Sequence, residues 1–312
     1  MKISFLKFSI VLLFLGIFST ISCSKNDNLK QDESTHPNIE IAYSLSNSII
    51  SFDNQNLKNS KDEAHTLGVL QDIIYYARAD GAGAYTVFKL AKKVPAILAA
   101  GPGYPAAFAA LGGIVASVWA YIERHYDFKP GNNNINDLTI VNNENTINTN
   151  GRLYTESIKI VDHNQVGIIH NRYLDSTINL IENGDLDISS NDVYNKLVYY
   201  INNEFRISDI GNYLSIQEMQ QIRNMDLGSK NCDELYSIYI NSDLPIHVSQ
   251  YLRDFFYRID VYGHIENAAI EYSNLFIDDV QTQDNFSQFE KEVILYSLST
   301  FKNSYIYWEN KL

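Results

Sequence analysis

Two histidines seven residues apart, His163 and His170 in "VDHNQVGIIHNRYLD", are the first candidates for chemistry, with Asp162 and Asp175 beside them. Imidazole and carboxylate groups bind transition metals and move protons near neutral pH. Seven residues are close to two helical turns, so on a helix both rings would share one face. Metal sites on helices more often use a spacing of four, and the sequence places no third ligand. The favoured reading is structural: His170 and Asn171 pack against another helix through hydrogen bonds. His65, His125, His247 and His264 are scattered. No metal site and no cofactor is assigned.

Three other stretches imitate sites. Residues 101–106 spell Gly-x-Gly-x-x-Ala, follow "VPAILAA", and have Glu123 about twenty residues on. That resembles the turn on which backbone amides receive a dinucleotide pyrophosphate. Pro102 removes an amide from that turn, and no strand follows to present Glu123. "NGDLDISSND" has the acids of a calcium loop but no Gly at its sixth place and no Glu at its twelfth. It reads as a turn leading into the helix "DVYNKLVYYINNEF". Cys232, in "NCDEL", sits at a helix start, where a thiol can be activated. No histidine is near it in sequence, and a packed, inert thiol is expected. Gly-x-Ser-x-Gly, Walker and His-Glu-x-x-His motifs are absent from the sequence. The 22 tyrosines could furnish a sugar-stacking surface, but most fall at helix-core spacings. Nothing assigns an enzyme.

The elements that would position these residues are helical. Ser60 and Glu63 make a capping box ahead of Ala64, Leu67, Leu70, Ile74 and Ala77. A second helix is expected over 83–94. A third follows Pro105, with Phe108, Leu111, Val115, Val118 and Ile122 on one stripe and Ala109, Gly113, Ala116 and Ala120 on a thin one. A helix apolar nearly all round must be buried on several sides. "KPGNNNINDLTIVNNENTINTNG", 129–151, is an Asn-rich linker. Beyond it, "SIQE" at Ser215, "SQFE" at Ser287 and "NCDE" at Asn231 are capping boxes, and Pro245 marks another helix start. No alternating strand pattern is found. The expectation is an all-α helical bundle in two parts: an Ala/Gly-rich segment at 60–128 and an acidic helical domain at 152–312.

Charge narrows the partners. The chain carries 24 basic and 37 acidic residues, a formal net charge of −13. Residues 1–150 hold 12 basic and 13 acidic, leaving 12 and 24 for 151–312. The sign argues against nucleic acid. From Val94 to Ile122 there is no charge, so a membrane span competes with a buried core helix. Counted from Ala106 to Ile122 the helix is 17 residues, about 25 Å, short of the roughly 30 Å hydrocarbon layer. Lys89, Lys92 and Lys93 oppose inserting the preceding helix with it. Core packing is favoured.

The N-terminus reads as an address. Lys2 and Lys7 precede an apolar run and then "STISC", the pattern of a secretory signal. An ordinary signal peptide cut near Ser22 fits the basic and apolar parts equally. "STISC" resembles the lipobox of bacterial lipoproteins, which implies that residues 1–22 are removed and that Cys23 is acylated as the mature N-terminus. The following "SKNDN" resembles the surface-export tract of Bacteroidota lipoproteins. That implies an outer-membrane protein exposed at the cell surface, with 23–59 as its tether and one short ordered piece expected at "IAYSLSNSIISF". "GIIHNRYLD", "ADGAGAY" with "GPGYPAAFAALGG", and "SYIYWE" together resemble uncharacterised lipoproteins of Bacteroidota, a likeness that brings no activity with it. The function expected is a membrane-anchored structural or binding module for a protein or glycan. The alternative is a membrane-active, pore-forming or bacteriocin-like protein that inserts its Ala/Gly-rich helix. Cys23→Ala is expected to abolish acyl labelling and to leave the protein soluble or as uncleaved precursor. Normal lipid labelling of that variant would refute the assignment.

Overall fold

The computed structural model describes residues 43–59, 67–90, 103–126, 162–188, 191–207, 210–240, 244–265 and 267–312, all within one unit, 41–312. Ten α-helices and no strand occur among them: α1 (Asn47–Asn59), α2 (Leu67–Leu90), α3 (Gly103–His125), α4 (His163–Glu182), α5 (Asp192–Phe205), α6 (Ile216–Asn224), α7 (Cys232–Tyr239), α8 (Ile246–Tyr262), α9 (Ala268–Thr282) and α10 (Gln288–Lys311). The fold is all-α.

The helix ends are written locally. Ser215 with Glu218, Asn231 with Glu234, and Ser287 with Glu290 each form a reciprocal capping box, which satisfies amides that the first turn leaves without partners. Asp162 accepts from the Asn164 amide to start α4. Arg206, at φ 51°, ends α5 in the left-handed conformation.

The bundle is organised around α3. Every residue from Gly103 to Ile122 is buried. α2, α4, α5, α6 and α10 all pack on it. Trp119 meets Tyr194 of α5 at 5.7 Å between ring centroids and carries the Arg223 guanidinium of α6 at 4.0 Å. Tyr121 stacks toward Trp308 of α10, and Trp308 in turn stacks on Tyr76 of α2. A helix without a polar face has no side to give to water, so the amphipathic helices enclose it.

On its α2 side α3 comes to backbone contact. A Cβ on Gly112 would lie 2.4 Å from the Gly83 carbonyl oxygen, and one on Gly83 would lie 2.5 Å from that of Gly112. No side chain fits between the helices there. A Cβ on Gly113 would fall 2.9 Å from both the His170 ring and the Thr300 methyl.

Several sequence expectations change. The two helices expected before residue 94 are one, because α2 runs unbroken from Leu67 to Leu90 through Gly81 and Gly83. The packing of α2 between α3 and α10 compensates for the low helix propensity of its glycines. α3 begins at Gly103, three residues before Ala106. Pro105 then lies in the first turn, where its missing amide costs no intrahelical bond. The tether expected over 23–59 does not extend to 59: the short ordered piece expected at "IAYSLSNSIISF" is there, and its helix continues to Asn59. Ile49 is fully buried, and α1 packs on α9. Tyr43 donates to Asp254, the Ser46 amide donates to Asp279, and Asp53 accepts from both Arg258 and Tyr272. The segments expected as separate parts, 60–128 and 152–312, share one hydrophobic core wherever they are described. The Ser60 capping box and the 129–151 linker lie outside the described residues.

Gly113→Leu is expected to lower thermal stability, since overpacking costs about 1–3 kcal/mol. Gly68→Ala, on an open stretch of α2 with no atom within 4 Å of the new methyl, is expected to raise it by up to about 1 kcal/mol. An unchanged melting temperature for Gly113→Leu would show that this face of α3 is not packed.

Candidate functional site

The groups with the most chemistry to offer lie inside the bundle. Asp80 of α2 and His170 of α4 are both wholly shielded from solvent. They face each other where α2, α3, α4 and α10 meet, with His170 Nε2 3.4 Å from Asp80 Oδ1. That separation is an ion-pair distance, longer than a well-formed hydrogen bond. Helical spacing brings His170 inward with Val166, Leu174 and Thr177. Gly113 supplies the room for the ring.

The hydrogen bonds place one proton of the ring. The Asn171 amide nitrogen donates to the Asn303 carbonyl at 2.8 Å, which leaves Asn171 Oδ1 as the acceptor facing His170 Nδ1 at 2.9 Å. Nδ1 therefore carries a proton. If the ring were neutral, the Nε2 lone pair would point at a carboxylate oxygen. A second proton on Nε2 removes that repulsion, so the arrangement favours the imidazolium. Ser304 of α10 donates its hydroxyl to Asp80 Oδ2. Burial alone would push His170 down, but Asp80's charge and the bond to Asn171 more than offset it, and the histidine is held above its usual range. Among the described residues Oδ1 makes no hydrogen bond, and it faces the His170 ring.

The pair is sealed from any substrate. It acts as a structural charge pair, and breaking one partner of such a pair typically costs about 3–5 kcal/mol because a lone charge stays buried. His163 is not part of it. It sits at the exposed start of α4 beside Asp162 at 3.4 Å, so the two histidines have different partners. Among the described residues no group of three or more His, Cys, Asp and Glu is placed to hold a metal. Gly103 to Ala106 lie inside α3 and form no phosphate-binding turn. Cys232 is buried at the start of α7, and burial together with the charges of Asp233 and Asp260 pushes its thiol up to about 11, away from the reactive thiolate. Cys23 lies outside the described residues.

Asp80 and Ser304 were not singled out by sequence. Asp80 is an isolated acid in "ARADGAGAY", a stretch otherwise small and apolar toward its C-terminal side, and that anomaly was the available signal. A hollow between the N-terminal arm and α9 is lined by Ser44, Ser46, Asp279 and Gln283. Its carboxylate is already engaged by the Ser46 amide, Tyr251 and Gln283. No known family model, curated protein or solved structure matches this chain.

The raised His170 has a definite sign in pH. Its stabilisation is fully present below about pH 6.5, the unfolded value, and is lost as pH rises through the higher folded value. The melting temperature is expected to fall as pH rises above about 6.5. In Asp80→Asn/His170→Gln, a neutral pair, that part of the fall should vanish. The comparison removes the contribution of Cys232, which is common to both proteins. Identical pH profiles would show that the pair carries no charge.

Proposed function

We propose that this chain is a lipid-anchored protein of the bacterial outer membrane, acylated at Cys23, that presents its helical body at the cell surface for binding. One observation carries the reading: Lys2 and Lys7, an apolar run and "STISC" in succession, the order that membrane export and cysteine acylation require. The position of the body is consistent with it. Nineteen residues lie between Cys23 and Tyr43, a reach of at most about 70 Å. The arm at 43–57 is then bonded to α8 and α9 through Tyr43, Ser46 and Asp53. A binding role is favoured over catalysis because the imidazole–carboxylate pair is inaccessible to any substrate. The ligand class is a protein or glycan met at the surface, and the net charge of −13 disfavours nucleic acid.

A second reading, a membrane-active protein, is favoured by the length of α3. Its uncharged helical stretch, Gly103–Ile122, is 20 residues, about 30 Å at 1.5 Å each. That matches the hydrocarbon thickness, and α3 is long and apolar enough to cross a membrane. Complete burial in the bundle is equally what a core helix requires.

Protease added to intact cells is expected to degrade the protein while periplasmic markers survive. Full protection would place it on the inner side of the membrane and end the surface assignment.

A further inference from the structure

We propose, resting on the surface-binding reading, that the outer face of α5 is a saccharide site in which Tyr199 is the ring a pyranose stacks on.

The helical period of α5 separates two jobs. Its inner face is Val193, Tyr194, Leu197, Ile201 and Phe205, all buried. Residues four apart share a ridge, so over "NKLVYYINNE" Asn195, Tyr199 and Asn203 form one outer ridge. Lys196, Tyr200 and Glu204 form the next. The two ridges have the same design, an aromatic ring flanked one turn away on each side by a polar group. Tyr194 is buried against Trp119. Tyr199, five residues later, is 59% exposed and takes no part in the core, so packing does not account for it.

The rings around Tyr199 are held in place. Tyr200 stacks on Tyr173 of α4, with centroids 4.7 Å apart and planes 21° from parallel. Tyr199 follows at 6.2 Å from Tyr200. The Lys196 ammonium lies 5.0 Å from the Tyr200 centroid and 5.8 Å from that of Tyr199. Glu204 accepts from the Tyr173 hydroxyl at 2.6 Å and from Arg172 at 3.1 Å, which ties α5 to α4 beneath the rings. A surface fixed before the ligand arrives loses little freedom when it binds.

A pyranose has a face of C–H bonds, weakly positive, and a rim of hydroxyls. The C–H face suits the negative π surface of an exposed tyrosine. The rim needs donors and acceptors beside the ring, and the exposed carboxamides of Asn195 and Asn203 each carry both. A protein partner would need about 800 Å² of surface with an apolar centre. The helical neighbours of Tyr199 are Asn195, Lys196, Asn202 and Asn203, all polar, so no such centre surrounds it. A stacked nucleobase would bring phosphate to a chain of net charge −13. The same charge disfavours uronic and sialic acids and leaves neutral hexoses as the ligand class.

The test uses the acylated full chain in a detergent without sugar groups. Immobilised tetramers of β-1,4-glucose, β-1,4-galactose and α-mannose are the neutral probes, with a galacturonate tetramer as the acidic one. The wild type is expected to retain at least one neutral tetramer. Tyr199→Ala should weaken that binding about tenfold or more at an unchanged melting temperature. Tyr199→Phe, which keeps the ring, should recover most of the loss. Asn195→Ala/Asn203→Ala should also weaken binding. Tyr257→Ala, at a tyrosine of α8 that is 51% exposed, should match the wild type. If the wild type retains none of the tetramers, the proposal is overturned. If it retains one and Tyr199→Ala retains it equally, the site is refuted while the binding reading survives. Preference for the galacturonate tetramer would overturn the neutral-sugar assignment. The measurement uses purified protein, so protection from protease on cells would end the surface assignment without altering this result.

Discussion

A helix with no polar face sets the terms for this fold. From Gly103 to Ile122, α3 is uncharged and apolar, so each of its sides must be covered by another helix. An ordinary amphipathic helix gives half its surface to water and needs neighbours on one face only. α3 needs them all round, and α2, α4, α5, α6 and α10 supply them. α4, α5 and α6 are amphipathic, whereas α2 is itself buried all round from Ala79 to Phe88. The burial of α3 therefore dictates where the hydrophobic stripes of half the bundle point.

Enclosure on this scale leaves little spare volume, and the small residues of α2 and α3 are where it is saved. At Gly83 and Gly112 the backbones touch, which brings the helix axes closer than any side chain would allow. Just beyond that contact, Gly113 frees space that His170 fills. An apolar residue of similar size would fill it without a desolvation cost, and buried ion pairs are seldom a net gain over such a replacement. The charge pair makes the stability of this part of the core depend on the protonation of His170, which an apolar contact would not do.

The outer layer is organised differently. α8, α9 and the arm leading into α1 are joined by tyrosine–carboxylate and arginine–carboxylate bonds: Tyr43 with Asp254, Tyr251 with Asp279, and Asp53 with Arg258 and Tyr272. Aromatic packing backs them, with Tyr251 set among Tyr43, Phe276 and Phe286. The tyrosines are thus mostly committed to structure, burying a ring while finding a partner for the hydroxyl. The arm belongs to this layer, so a chain anchored at Cys23 would reach its body through a segment fastened at several points.

Local information decided much of this in advance. The capping boxes at Ser215, Asn231 and Ser287 act within three residues, so their helix starts were legible in the sequence. The apolar period of α3 required a buried helix, and the all-α class followed from the lack of any alternating pattern. The proposed N-terminal address is also a reading of sequence alone, since export and acylation act on an extended peptide before folding. Other features depended on partners distant in the chain. The unbroken course of α2 through its glycines depends on α3 and α10 packing against it. The docking of 43–57 depends on Asp254, Arg258, Tyr272 and Asp279, more than two hundred residues away. His170 could be read from sequence as a packed histidine, but its charge could not. That charge comes from Asp80, ninety residues earlier, and from an Asn171 side chain turned by a carbonyl on α10. Spacing along one helix determines which face a side chain takes, and only the assembled bundle determines what it meets there.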